Sequence, residues 1–69
     1  MHEVATISFR DAESGDQGEA IIRHLDGTIA LCLSLEKDGD IEVFLSKDDC
    51  RKIADSLNEA IRTRHSEQK

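Results

Sequence analysis

The chain has 69 residues, a mass of 7.7 kDa, a formal charge of −6 and a pI near 4.8. It has no Pro, Trp or Tyr, only two Phe and only two Cys. That excludes a second domain, a disulfide scaffold and a span of the ~18–20 apolar residues a membrane helix needs, and it argues against direct nucleic-acid binding, which wants a basic stripe and stacking aromatics.

Val4 to Arg10 alternates, with Ala5, Ile7 and Phe9 on one side and Thr6 and Ser8 on the other, as a half-buried strand does. Asp11 to Gly18 is rich in acids, Ser and Gly and reads as a loop. Glu19 to Leu25 is a second strand. Asp26-Gly27 is a strong two-residue hairpin signal, because both central positions of a type I′ turn need positive φ. Thr28 to Glu36 is a third strand, Lys37-Asp38-Gly39 a second turn, and Asp40 to Leu45 a fourth strand.

The period changes at Ser46. Ser46-Lys47-Asp48-Asp49 resembles a capping box, with acids at the positive end of a helix dipole. Cys50, Ile53, Ala54, Leu57, Ala60 and Ile61 then recur at helical spacing. The pattern predicts a helix from about Lys47 to about Arg64, followed by a polar tail over 65–69.

The turns set the pairing. A two-residue loop at Asp26-Gly27 places Leu25 opposite Thr28, Ile22 opposite Leu31 and Ala20 opposite Leu33. A three-residue loop at Lys37-Asp38-Gly39 pairs Leu35 with Ile41, Leu33 with Val43 and Leu31 with Leu45. One face then carries Ile22, Ile29, Leu31, Leu33, Leu35, Ile41, Val43 and Leu45, and the helix stripe is expected to lie across it, burying Leu33 deeply. The predicted fold is α+β: a four-stranded antiparallel β-meander with one C-terminal α-helix packed on one face, ββββα in two layers, as a single domain over 1–64. On the other face the pairing lines up Ile21, Cys32 and Phe44, a candidate self-association surface and hence a homodimer seam.

Charge is segregated. Residues 1–45 hold ten acids and three bases, net −7, whereas residues 46–64 carry +1 and balance themselves through pairs such as Asp48/Lys52 and Arg51/Asp55. In an up-down meander the first and third connections lie at one end. Asp11, Glu13, Asp16 and Glu19 flank the first, and Glu36, Asp38, Asp40 and Glu42 the third. These eight carboxylates are the candidate partner-binding site, with Arg62 and Arg64 expected to soften the field.

The inventory for chemistry is thin. His2 and His65 lie near the ends, and His24 alternates onto the core-facing side. Cys32 and Cys50 fall on different layers, so no disulfide is expected. No closely spaced Cys/His pairs suggest zinc, and Asp38-Gly39-Asp40-Ile41-Glu42 departs from a calcium loop in the positions of its Gly and Glu. No nucleophile, base and orienter can be assembled. The expectation is therefore no catalytic, cofactor-binding or metal-binding residues and no enzyme. Met1-His2-Glu3 lacks a secretory n-region, and two unpaired Cys suggest a reducing compartment, so the expected location is cytoplasmic.

The expected function is that of a small acidic interaction protein that occupies a basic surface on a protein partner, carboxylates standing where phosphates would. In size, charge and want of a catalytic set, the chain is similar to small phage-encoded inhibitors of host nucleases, anti-CRISPR proteins among them. The alternative is a homodimeric structural or regulatory accessory domain, seamed along its exposed sheet face.

Overall fold

The computed structural model describes residues 2–63. Four strands, β1 (His2–Arg10), β2 (Gln17–Leu25), β3 (Thr28–Leu35) and β4 (Gly39–Ser46), precede one helix, α1 (Lys47–Arg62). The strands form a single antiparallel sheet in the order β1-β2-β3-β4, and α1 packs against it through β4 and β3. This is the ββββα, α+β arrangement that the hydrophobic periods predict.

The hairpin at Asp26-Gly27 forms as expected, with Leu25 opposite Thr28, Ile22 opposite Leu31 and Ala20 opposite Leu33. Gly27 supplies a φ of +75°, which an L side chain adopts only at a cost. The second hairpin differs. Leu35 pairs with Gly39, so the three turn residues are Glu36-Lys37-Asp38, and Gly39 carries its left-handed φ of +89° as the first residue of β4. The register therefore moves by two: Leu33 meets Ile41, Leu31 meets Val43 and Ile29 meets Leu45. A shift of two preserves the faces, because side chains alternate with period two.

Read across all four strands, one face carries the rows Phe9–Gly18–Leu35–Gly39, Ile7–Ala20–Leu33–Ile41 and Ala5–Ile22–Leu31–Val43, then His24–Ile29–Leu45. The other carries Ser8–Glu19–Ser34–Asp40, Thr6–Ile21–Cys32–Glu42 and Glu3–Arg23–Ala30–Phe44. A bulge between Glu3 and Ala5 keeps β1 in step. Every Asp, Glu, Lys and Arg of the strands lies on the second face; the first carries none of them, and its polar groups are His2 and His24, paired at one end.

The Ser46 side chain caps α1, its Oγ accepting from the Asp49 backbone N–H at 3.1 Å, with Asp48 and Asp49 in the first turn. Ser46→Ala is expected to cost ~0.5–2 kcal/mol. Chemical denaturation checks this, and an unchanged midpoint would mean the hydroxyl does not hold the helix start. Surface pairs on α1 form at i,i+3, Arg51 with Asp48 at 3.3 Å and Arg62 with Glu59 at 3.1 Å, rather than at the i,i+4 spacings expected.

The helix does not blanket the apolar face. None of its residues is buried. Leu33, expected deep in the core, is 41% exposed, and among the described residues Ala30 is the only buried hydrophobic side chain. The physical reason is the junction: β4 ends at Ser46 and α1 begins at Lys47. Strand-to-helix connections commonly use ~2–6 residues to turn the chain back. With none here, α1 leaves from the end of the sheet. The radius of gyration is 13.9 Å, against about 11 Å for a compact domain of this length.

Candidate interaction surface at the acidic end

The β1–β2 connection is a closed, hydrogen-bonded loop. The Asp11 N–H donates to the Asp16 carbonyl at 2.8 Å, and the Gly15 N–H donates to the Asp11 carbonyl at 2.8 Å. The Asp11 carboxylate accepts from the N–H groups of Ser14 at 2.7 Å and Glu13 at 3.2 Å. Arg10 Nη1 donates to the Gly15 carbonyl at 2.8 Å, and the Asp16 N–H to the Ser14 hydroxyl at 3.1 Å. Gly15, at φ +80°, makes the reversal. The Ser14 backbone N–H, then its hydroxyl and the N–H of Glu13, hold the Asp11 carboxyl below its ordinary value, because each favours the charged form. Asp11 thus builds the loop from within.

The β3–β4 turn lies beside this loop. The Glu36 N–H donates to the Gln17 carbonyl at 3.0 Å, and Lys37 Nζ stands 3.8 Å from the buried carboxylate of Asp16. The sheet therefore brings the two acid-rich connections together, as the meander requires. Ser34 donates to Asp40 at 2.8 Å, and Ser8, Gln17, Gly18, Glu19, Ser34 and Glu36 line a shallow depression at this end.

The eight predicted carboxylates divide by role. Asp11 and Asp16 are spent inside the loop. Glu42 stands midway along the edge strand β4, ion-paired with Arg23 at 3.1 Å. Glu13, Glu19, Glu36, Asp38 and Asp40 are exposed and stand in no ion pair among the described residues. The Arg62 guanidinium is held by Glu59, and Arg64 lies outside the described residues. Lys37 and Arg10, the two bases that the sequence sets against these acids, are both engaged at this end: Lys37 beside Asp16, and Arg10 on the Gly15 carbonyl.

The second predicted surface is altered by the register. Ile21 does oppose Cys32, but Cys32 opposes Glu42, and Phe44 opposes Ala30. Ile21, Cys32 and Phe44 share a face without forming one row, and the Arg23–Glu42 pair stands among them. Cys32 and Cys50 are both free and half-buried. His24 lies on the expected face but is exposed. Among the described residues no group of three or more His, Cys, Asp or Glu is placed to hold a metal ion, and no helix is long and apolar enough to cross a membrane.

Fold and surface together define an open α+β sheet protein with an acidic end built on a hydrogen-bonded loop. Comparison with family models, with curated proteins and with solved structures finds no match.

Proposed function

We propose that the protein is a small, non-enzymatic, cytoplasmic interaction protein whose acidic end occupies a basic surface on a protein partner, in the manner of an inhibitor that mimics nucleic acid. One observation supports this reading above the rest: Glu13, Glu36 and Asp38 on two connections tied to each other, with Glu19 and Asp40 on the adjoining strand ends, are exposed at one end of the sheet without ion-pair partners among the described residues. The hydrogen-bonded β1–β2 loop fixes the backbone beneath them, and complementary charge raises both encounter rate and specificity. Surfaces that hold nucleic acid are strongly basic, so a nucleic-acid channel is the partner class that fits.

The test compares two double variants of equal net charge, Asp38→Asn/Asp40→Asn at the acidic end and Asp55→Asn/Glu59→Gln on α1. Immobilised protein is exposed to source-cell lysate at low salt and eluted with rising salt. Each lost carboxylate at the contact is worth on the order of 1 kcal/mol, so the first variant should bind ~10–30-fold more weakly and elute earlier. The helix variant should behave as the unaltered protein does. Equal losses from both would reduce the effect to global charge, and no loss from either would remove the acidic end from the function.

A further inference from the structure

We propose that the uncharged sheet face and the apolar stripe of α1 are two halves of one interface, closed by a second copy of this chain. In a two-fold dimer, α1 of each copy lies across the uncharged sheet face of the other. This concerns a different surface from the acidic end and stands independently of it.

Two open apolar surfaces carry the inference. On the sheet, Ile7 is 50%, Leu33 41% and Ile41 61% exposed. On α1, exposure climbs along the stripe, from half-buried Cys50 through Ile53 at 43% and Leu57 at 60% to Ile61 at 80%. Although α1 contacts β4 and β3, these exposures leave much of both surfaces open within one chain. Nothing prevents their meeting between chains.

The dimensions agree. Sixteen residues of α1 span about 24 Å, and strands of eight or nine residues run about 26–30 Å. The area agrees too. The chain exposes 5472 Å², against about 4,300 Å² for a compact chain of its mass. The surplus, on the order of 1,000 Å², is what each partner gives to a stable interface, typically about 800 Å² or more. A face with no Asp, Glu, Lys or Arg, in a chain with 35% of such residues, is suited to burial and ill suited to water. A second copy supplies the missing cover because the complementary stripe is on this same chain, and the reciprocal contact closes as an isologous pair.

Sedimentation equilibrium of the full chain should give twice 7.7 kDa, and the melting temperature should rise with protein concentration, as it does when folding is coupled to association. Leu57→Asp on the helix and Ile41→Asp on the sheet should each weaken the dimer at least 100-fold, whereas Phe44→Glu on the charged face should leave it intact. Cross-linking decides the arrangement even if the Asp variants fail to fold. In a Cys32→Ser/Cys50→Ala background, chains with Leu33→Cys mixed with chains with Leu57→Cys should form a disulfide-linked heterodimer in preference to either homodimer. A monomer with a concentration-independent melting temperature would overturn the proposal. So would a dimer lost through Phe44→Glu but insensitive to Leu57→Asp, or cross-linking confined to Leu33→Cys with itself.

Discussion

Gly18→Ala is expected to destabilise the protein by ~1–3 kcal/mol, a large part of the margin of so small a domain. A Cβ at this position would lie 2.6 Å from Phe9 Cζ and 2.9 Å from Leu35 Cδ2. Gly18 is buried, its φ lies outside the left-handed region, and the Phe9 ring and Leu35 close over it from the neighbouring strands. The cost is therefore steric. In an open strand the same change would be favourable by roughly 0.5–1 kcal/mol, because Ala has less backbone freedom to lose, so the sign of the effect decides. Adding Phe9→Leu should recover part of the loss, a coupling that a double-mutant cycle measures. A Gly18→Ala protein as stable as its parent would show that Phe9 and Leu35 do not pack over the glycine.

Ala30→Leu is the second change with a large expected effect, again ~1–3 kcal/mol from overpacking. Ala30 is fully buried although it lies on the charged face, where its row mates are Arg23 on one side and Phe44 on the other. Phe44 is itself 62% exposed. A leucine at position 30 would force one of these neighbours outward and disturb the Arg23–Glu42 pair. Ala30→Ser, close in volume, should cost much less. Urea denaturation reads both, and a neutral or stabilising Ala30→Leu would mean that nothing closes over the site.

Much of this was legible in the residues. Alternation marked all four strands, Asp26-Gly27 fixed the central hairpin, and Ser46 followed by two aspartates marked the helix start. Gly18 was not legible: beside Gly15 and a run of acids it reads as loop, whereas it opens β2 because Phe9 and Leu35 need room there. The second hairpin misled because hydrophobic pattern distinguishes faces but not shifts of two residues. Only the backbone shows that Gly39 uses its left-handed φ inside the closing pair with Leu35. That shift separates Phe44 from Cys32 and sets Glu42 opposite Cys32 instead. The helix packs on the sheet, as its apolar stripe predicts, but buries little of it. That shortfall has a signal in the sequence, since the alternation of β4 runs into the capping serine and leaves no residues for a turn. At the acidic end, topology followed from strand order, but the division of labour among the carboxylates did not. An aspartate that folds its own loop and one that faces solvent look alike until hydrogen bonds are placed.

The most direct measurement of the acidic end as a stand-in for nucleic acid is competition at constant ionic strength. Partner retained on the immobilised protein is challenged with a short nucleic-acid duplex, and separately with inorganic phosphate. If the carboxylates occupy a nucleic-acid surface, the duplex releases the partner while phosphate at the same ionic strength leaves it bound. Retention of the partner under saturating duplex would contradict that role, as would a protein that captures no partner even at low salt.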